Sequence, residues 1–170
     1  MAPEFQELGW KVEELLVMPH DGPTPDLDTA GVEEVGWEEL EPIWAEGMRA
    51  NPEIRDEEDV RQLVAGQHRR RIAVDVRYLA ARVDGRIASY CELFSHAGTS
   101  QIESVMTLEQ FRGRGLAKTI VTRALAESRA AGHDFTFLVA GADDWPKELY
   151  RKLGFDEVGR EYEFVRPSAK

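Results

Sequence analysis

Apolar residues recur along this chain at two spacings, which predict strands in some segments and helices in others. Continuous or alternating apolar runs mark the strands. Two of these runs flank Asp84-Gly85, a dipeptide that favours a two-residue hairpin turn. The fully apolar run that begins at Phe135 is typical of a buried parallel strand. The predicted strands are 31–35, 74–83, 86–94, 101–107, 135–140 and 155–165.

Helical spacing of apolar residues predicts four helices between these strands. The first helix ends at Pro52, and the last has Pro146 in its first turn with Asp143 or Asp144 as its N-cap. Strands followed by two helical crossovers predict an α+β fold of mixed α/β character, with a central, mostly antiparallel sheet and helices on both faces. The predicted helices are 37–49, 53–67, 116–131 and 146–153.

A proline-rich stretch separates the N-terminal segment from the rest of the chain. Residues 19–26 contain three prolines and one glycine, a composition that excludes a helix or a central strand. We therefore divide the chain into a strand-like N-terminal segment (1–20), a proline-rich linker (21–28) and a main domain (29–166).

Composition narrows the class of protein. The formal net charge of −11 argues against a nucleic-acid partner, and no apolar run is long enough for a transmembrane helix. The acidic N-terminus lacks the features of a signal peptide, and Cys91, the only cysteine, lies in an apolar run where we interpret it as a packing residue. We expect a cytoplasmic protein. The four histidines lack metal-ligand spacing, so we expect no metal.

The charge is distributed unevenly. Residues 1–60 carry 18 acidic and 3 basic side chains, whereas residues 61–170 carry 14 acidic and 18 basic ones. An acidic N-terminal half would concentrate a cationic substrate if it lines the entrance to a site. The alternative is a solvated acidic surface.

The most informative motif is a glycine-rich turn, Arg112-Gly113-Arg114-Gly115-Leu116-Ala117, between a predicted strand and a predicted helix. Backbone N–H groups at a helix N-terminus lack intrahelical partners, glycine allows a phosphate to approach closely, and arginine adds charge. The turn lacks the Lys-Ser/Thr of a P-loop and the third glycine of a dinucleotide fingerprint. It predicts an anion site of another kind.

The wider segment, residues 105–117, resembles the acetyl-CoA motif of the GNAT superfamily of N-acetyltransferases. That motif reads Gln/Arg-x-x-Gly-x-Gly/Ala, and two overlapping registers satisfy it, one from Gln110 and one from Arg112. Residues 149–155 resemble the Tyr-x-x-x-Gly-Phe helix end of the same family. The two motifs occur in the usual order and separation, and the resemblance covers roughly residues 29–166. It implies the GNAT fold and acetyl-CoA as co-substrate.

The resemblance also implies roles for individual residues. Val105, Met106 and Thr107 would offer main-chain groups along the pantetheine arm, one of them as oxyanion donor. The turn would hold the pyrophosphate, and Tyr150 would protonate the departing thiolate. Asp143 stands where many members carry an asparagine that contacts the pantetheine arm, although it would otherwise serve only as a helix cap. The implied cofactor-binding set is Val105, Met106, Thr107, Arg112, Gly113, Arg114, Gly115, Leu116, Ala117, Lys118, Asp143 and Tyr150.

Glu103 is the residue that we expect to act as general base. It occupies the place of the glutamate in a Glu-Asp pair of polyamine-type members, but here Ser104 replaces the aspartate. Strand alternation predicts that Glu103 shares a face of the sheet with Val105. The alternative is a carboxylate that only pairs with an arginine. Glu92 and His96, on the neighbouring strand, are further candidates for the base.

An internal similarity concerns the N-terminal segment. Residues 5–13 resemble residues 150–158, since both contain the pattern aromatic-x-x-Leu-Gly-aromatic before an apolar strand. Residues 1–20 therefore look like the tail of a preceding GNAT unit, which would add a strand to this sheet or to the sheet of a partner. Residues 69–71, three arginines, are expected to form a solvated helix end or to contact the 3′-phosphate of CoA.

These observations predict an acetyl-CoA-dependent N-acetyltransferase in which an amine attacks directly within a ternary complex, because no nucleophile for a covalent acyl-enzyme is visible. The expected acceptor is a small cationic amine, bound by a pocket built from roughly residues 37–70. The alternatives are acetylation of a protein N-terminus or lysine, and a non-catalytic acyl-CoA-binding module. Dimerisation is common in the family, so a homodimer is one expected assembly; nucleic acid and membranes are not expected partners.

Overall fold

The computed structural model describes residues 2–52, 54 and 56–166, and these residues form seven strands and five helices. A short 3-10 helix, Glu109–Phe111, precedes the glycine-rich turn. The strands are β1 (Lys11–Pro19), β2 (Val32–Val35), β3 (Asp75–Val83), β4 (Arg86–His96), β5 (Thr99–Thr107), β6 (Phe135–Gly141) and β7 (Gly159–Val165). The helices are α1 (Ala2–Glu7), α2 (Trp37–Ala50), α3 (Glu57–Ala73), α4 (Leu116–Ala130) and α5 (Pro146–Lys152).

The seven strands form one sheet in the order β2-β3-β4-β5-β6-β1-β7. All neighbouring strands are antiparallel except β5 and β6, which run parallel. The hairpin between β3 and β4 turns at Asp84 and Gly85, whose φ angles are 51° and 75°, as a type I′ turn requires. The predicted mixed, mostly antiparallel sheet is confirmed.

Helices cover both faces of this sheet, as predicted. One apolar cluster joins the sheet to α4 and α5 and includes Ile120, Leu125 and Phe155, none of which is exposed. The second joins the opposite face to α2 and α3 around Trp37 and Leu40. We call these the α4/α5 face and the α2/α3 face. None of the described helices has the length and apolar character that crossing a membrane requires.

The N-terminal strand lies inside the sheet rather than beside it. β1 pairs with β6 along one edge and with β7 along the other, and its residues Leu16 and Met18 are fully buried in the core. The sequence allowed this strand to join either the sheet of its own chain or the sheet of a partner. In the structure it joins the sheet of its own chain. The residues before it form the helix α1, which the sequence analysis did not predict.

The internal similarity extends to three dimensions. α1 and α5 both end at a glycine with positive φ, 79° at Gly9 and 92° at Gly154. In each case the aromatic residue after the glycine donates its backbone N–H across the helix end, the pattern of a Schellman cap. The matching hydrogen bonds run from Trp10 N to Phe5 O (3.0 Å) and from Phe155 N to Tyr150 O (3.1 Å).

Several element boundaries differ from the predictions. α3 begins later than predicted, because the Asp56 carboxylate caps it by accepting from the backbone N–H of Asp59, and it continues to Ala73; residues 53 and 55 lie outside the described residues. The N-cap of α5 is Trp145, not Asp143 or Asp144, and no side-chain hydrogen bond caps this helix. The last strand begins at Gly159 instead of residue 155.

A β-bulge interrupts the alternation of β5. Ser104 has a φ angle of 52°, and the pairing with β4 shifts there, so that Glu103 lies opposite Glu92 while Met106 lies opposite Tyr90. The extra residue reverses the side-chain alternation. Glu103 therefore lies on the α2/α3 face, whereas Val105 packs against the core on the α4/α5 face. The prediction that both share one face was wrong, because sequence spacing alone does not reveal a bulge.

Candidate active site

A cavity of about 610 Å³ lies where β5 and β6 separate. The two strands pair only from Thr99 to Ile102 on β5, so the rest of β5 diverges from its parallel neighbour. The end of β5, the glycine-rich turn and α5 enclose the space. Its lining residues are Val105, Met106, Thr107, Arg112, Gly113, Gly115, Leu116, Ala117, Lys118, Trp145, Pro146, Leu149 and Tyr150.

The glycine-rich turn presents open backbone donors to this cavity. Gly113 and Gly115 have φ angles of 76° and 78°, which residues with a Cβ rarely adopt. Gly115 is the N-cap of α4, no side chain caps that helix, and its first turn carries no acidic residue. The first N–H groups of α4 therefore remain available for an anion, and the helix dipole favours negative charge there. This cradle fits the pyrophosphate of a coenzyme A thioester.

Ten of the twelve predicted cofactor-binding residues line the cavity; Arg114 and Asp143 do not. The Arg114 guanidinium lies 5.7 Å from the centre of the Phe111 ring, and Asp143 is exposed in the turn before α5. Trp145, Pro146 and Leu149 were not predicted from the sequence. Trp145 and Pro146 precede Tyr150 by about one helical turn and Leu149 directly precedes it, so helical spacing from Tyr150 was the available signal for the first two.

Tyr150 sits at the inner end of the cavity as a buried phenol. It is only 7% exposed and contacts the ring of Phe155 at 6.1 Å between centroids. Burial is the main cause that raises the pKa of Tyr150 to about 12, and nearby Cys91 and Glu103 make smaller contributions. The phenol therefore stays protonated at neutral pH and is able to donate a proton to an anionic sulfur.

A second cavity, of about 570 Å³, lies on the α2/α3 face of the same strand. Glu103 lines it and accepts a hydrogen bond from the side-chain amide of Gln101. Burial raises the pKa of Glu103, nearby Arg70 lowers it, and Glu161 raises it again. The other lining residues are Leu15, Arg70, Phe94, Gln101, Glu161, Tyr162 and Glu163. The two cavities meet β5 from opposite faces on either side of the Ser104 bulge.

Glu92 lies directly across from Glu103 on β4 and is more deeply buried. It is 1% exposed, and its Oε2 atom has no hydrogen-bond partner among the described residues. Burial raises the pKa of Glu92, Arg70 lowers it, the charge of Glu103 raises it, and a hydrogen bond from Ser104 lowers it. His96, the remaining candidate base, is exposed at the far end of β4 opposite Thr99.

A third cavity, of about 740 Å³, lies between α2 and α3. Its walls are Trp44, Met48, Ile54 and Leu63 together with polar residues of α3, and Arg70 borders both this cavity and the second one. Arg70 thus lies beside the carboxylates and not in the phosphate cradle. No group of three or more His, Cys, Asp or Glu side chains able to hold a metal occurs in the described part of the chain.

The diverging parallel strands and the phosphate cradle form a site with the shape and backbone donors that fit a coenzyme A thioester. The family model of the acetyltransferase (GNAT) domain matches residues 45–166, and the chain therefore belongs to the GNAT acetyltransferase family. Proteins of this family use acetyl-CoA.

Solved structures share the fold. A putative GNAT acetyltransferase from Novosphingobium aromaticivorans aligns over 94% of this chain and 66% of its own length, with a TM-score of 0.66 and 21% identity. A protein of unknown function from Staphylococcus epidermidis aligns over 98% of this chain and 66% of its own, with a TM-score of 0.71 and 17% identity. The ribosomal-protein-alanine N-acetyltransferase of Brucella melitensis aligns over 75% of this chain and 85% of its own, with a TM-score of 0.54 and 18% identity.

A curated relative matches a shorter segment. The uncharacterized N-acetyltransferase CgeE of Bacillus subtilis is 32% identical over 62 residues, which is 36% of this chain and 24% of that protein. The chain thus spans about two thirds of the first two solved structures and aligns with a quarter of this relative.

Proposed function

We propose that this protein is an N-acetyltransferase that moves the acetyl group of acetyl-CoA to a primary amine of a small cationic metabolite, by direct attack in a ternary complex. The observation that carries the proposal is the pair of cavities on opposite faces of β5. One combines a phosphate cradle with a buried phenol, and the other is lined by carboxylates. An acyl donor and a cationic acceptor would meet at the bulge between them.

The cradle and the end of β5 position the donor. Main-chain N–H groups from Arg112 to Lys118 hold the pyrophosphate, with Arg112 and Lys118 adding positive charge. The backbone between Val105 and Thr107 runs along the pantetheine arm and supplies an N–H to the oxygen of the tetrahedral intermediate. When bound, acetyl-CoA supplies an acyl group activated as a thioester.

Two side chains move the protons. Glu103, from the acceptor cavity, takes a proton from the ammonium, directly or through water, so that the neutral nitrogen attacks the carbonyl carbon. The C–N bond forms, the C–S bond breaks, and Tyr150 donates its proton to the departing sulfur. The second proton of the attacking nitrogen returns through water to the Tyr150 phenolate as the neutral amide forms, and Glu103 releases its proton to solvent. A primary amine has an ordinary pKa near 10.4, so a base at this position matters at neutral pH. The products are an amide and the free thiol.

The test is thiol release from acetyl-CoA in the presence of polyamines, aminoglycosides, amino acids and basic peptides. We expect amine-dependent release, which Tyr150→Phe lowers by about 10²-fold in kcat while the Kd for CoA measured by calorimetry changes by less than about twofold. Tyr90→Phe is the matched control, because Tyr90 is equally buried but lies on the opposite face; it should keep most of the activity.

Each alternative has its own outcome in this assay. Release with basic peptides alone would favour a protein acetyltransferase. Binding of acetyl-CoA without release for any acceptor would favour a non-catalytic acyl-CoA-binding module and would contradict the proposal. Equal loss of activity in Tyr150→Phe and Tyr90→Phe would remove the acid role from Tyr150.

A further inference from the structure

The acceptor cavity holds more negative charge than a single ammonium requires. Glu103, which lines the cavity, is paired with the buried Glu92 on the neighbouring strand, which brings their side chains to within about 5 Å at Cβ; we call this pair the inner end of the cavity. Arg70 is the cation that lowers the pKa of both carboxyls. Two carboxylates and one guanidinium leave one negative charge at this end.

Glu92 shows that this end is built for a ligand. A side chain that is 1% exposed pays a large desolvation cost for a carboxylate, and its Oε2 atom has no hydrogen-bond partner in the described part of the chain. Glu92 couples to both Glu103 and Arg70, which line the cavity. An incoming ammonium would give this pair the positive partner that it lacks.

The mouth of the cavity carries two further carboxylates. Glu161 and Glu163 lie two positions apart on β7, and both line this cavity. Both are exposed, and neither has an ion-pair partner among the described residues. Arg160, the nearest basic residue in sequence, is instead held by Glu14 and Glu157. The mouth therefore carries two negative charges that no described side chain neutralises.

We propose that the acceptor is a diamine, a linear molecule with two ammonium groups separated by an apolar stem. The reacting amine binds to the Glu92–Glu103 pair beside the bulge, and the remote ammonium binds to Glu161 and Glu163 at the mouth. Leu15 and Phe94, the apolar side chains that line this cavity, contact the stem. This inference rests on the proposed function and specifies its substrate class.

The charge count discriminates against two other acceptors. A monoamine satisfies the inner end but leaves Glu161 and Glu163 to water alone. An amino acid places its carboxylate among four carboxylates and a single guanidinium, which costs repulsion at either end of the cavity. The carboxylates thus select for a second positive charge and against a negative one.

Three linear probes of similar length test this order: 1,4-diaminobutane, butylamine and 4-aminobutyrate. Thiol release from acetyl-CoA gives kcat/KM for each. We expect the diamine to exceed the monoamine by about five- to tenfold, the size of two partly exposed ion pairs, and the amino acid to be the poorest of the three. The preference for the diamine should shrink as salt is raised, because the mouth charges are solvated.

Variants separate the two ends of the cavity. Glu161→Gln combined with Glu163→Gln should lower kcat/KM for the diamine about five- to tenfold more than for the monoamine, mainly through KM. Glu92→Gln should lower activity with both amines. Glu41→Gln, an exposed glutamate on α2 that lines none of the three cavities, is the matched control and should leave the ratio of diamine to monoamine intact.

The outcomes distinguish this inference from the proposed function. Two results overturn the diamine assignment and leave the proposed acetyltransferase activity intact. One is turnover of all three probes at similar kcat/KM, and the other is a mouth variant that lowers kcat/KM for both amines equally. If no probe is turned over although acetyl-CoA binds, the proposed function fails, and calorimetry of each probe with the CoA complex decides the inference. Tighter binding of 1,4-diaminobutane than of butylamine then supports it, and equal binding contradicts it.

Discussion

At the scale of single residues, Glu92 is the least expected side chain of the site. An almost completely buried carboxylate in the middle of a sheet destabilises the fold unless it is protonated or paired. Its neighbours on β4, Cys91 and Leu93, face the opposite core, so alternation forces Glu92 toward the α2/α3 face. The residue is costly for stability and favourable for binding a cation.

Replacing Glu92 should therefore stabilise the protein in a pH-dependent way. The folded pKa of Glu92 is raised above its ordinary value of 4.5. Stability linked to its protonation is thus complete below pH 4.5 and is lost as pH rises through the raised folded pKa. Glu92→Gln removes this loss, so its Tm should exceed that of the wild type increasingly above pH 4.5, by about 2–4 °C per kcal/mol at this chain length.

Thermal melts between pH 4 and 8 measure this difference. Glu41→Gln, at an exposed position, should show no growing difference over the same range. A Tm difference for Glu92→Gln that stays constant with pH would mean that Glu92 is not a desolvated carboxylate in the folded protein.

The sequence predicted the residues that line the cavity beside the glycine-rich turn better than those that line the second cavity. Gly113, Gly115 and Tyr150 belong to local motifs, in which spacing along the chain alone fixes the geometry. The face of Glu103 depends on the Ser104 bulge, and a bulge is decided by contacts between two strands. Arg70 and Glu161 reach the same cavity from elements far apart in sequence, which no local pattern encodes.

At the scale of elements, Gly115 in the glycine-rich turn has a left-handed backbone conformation like that of Gly85 in the β3–β4 hairpin. Gly115 and Gly85 have φ angles of 78° and 75°, and an added Cβ at either would meet no atom within 4 Å. Alanine at either position should cost about 1 kcal/mol, since only the backbone conformation is strained. Only Gly115 lies in the phosphate cradle, so only Gly115→Ala should also weaken CoA binding, by about tenfold or more.

Calorimetric titration with CoA and thermal melts of both variants test this prediction. Similar losses of Tm with a Kd change confined to Gly115→Ala are expected. A comparable change of Kd in Gly85→Ala would assign the effect to general destabilisation rather than to the cradle.

The junction of β1 with α5 provides a pH-dependent contact. His20 donates from Nε2 to the carbonyl of Leu153 (2.9 Å), and its Nδ1 accepts from Arg129 (3.3 Å), so the neutral ring is satisfied on both sides. Burial lowers the pKa of His20, the Leu153 carbonyl raises it, and the Arg129 charge lowers it, leaving it below 6.5. The stability that this contact provides is present above pH 6.5 and is lost as pH falls through the lowered folded pKa.

His20→Gln should remove this dependence, because glutamine keeps an N–H donor for the carbonyl but does not titrate. We expect the Tm of the wild type to fall between pH 6.5 and 5 relative to that of the variant. His96→Gln, at an exposed position, is the control and should follow the wild type. Parallel curves for His20→Gln and wild type would contradict the prediction.

At the scale of the whole molecule, the central position of β1 couples the N-terminus to the rest of the sheet. β1 separates β6 from β7, so its removal would leave the edges of both strands without partners. Deleting residues 2–20 should therefore lower solubility or produce oligomers. Deleting only residues 2–7, which removes α1 alone, is the control and should keep a soluble sheet.

Light scattering and thermal melts compare the two deletions. A protein lacking residues 2–20 that retained the wild-type Tm and solution mass would contradict this role of β1. That residues 1–20 are the tail of a preceding unit stays a prediction, to which the repeated Schellman cap at Gly9 and Gly154 adds structural support.

Periodicity predicted most of the strands and helices, because each has one buried side. It did not predict the strand order, since the pairing of β1 with β6 and β7 joins opposite ends of the chain. Such pairing depends on the whole core rather than on a local pattern. The helix α1 was missed because six residues are too few to show a period.

The bulge at Ser104 has a consequence for how this strand tolerates change. Odd positions before it, such as Glu103, lie on the α2/α3 face, and even positions after it, such as Met106, lie on the same face. Loss of the extra residue would leave a regular strand with these faces unchanged, because alternation from Glu103 would still place Val105 toward the α4/α5 core and Met106 away from it. Straightening the bulge while keeping the residue would instead turn Met106 toward that core and Val105 away from it. In an alignment of related chains, a one-residue gap at this point would therefore mark a protein that keeps the same division of labour between its two faces without the bulge.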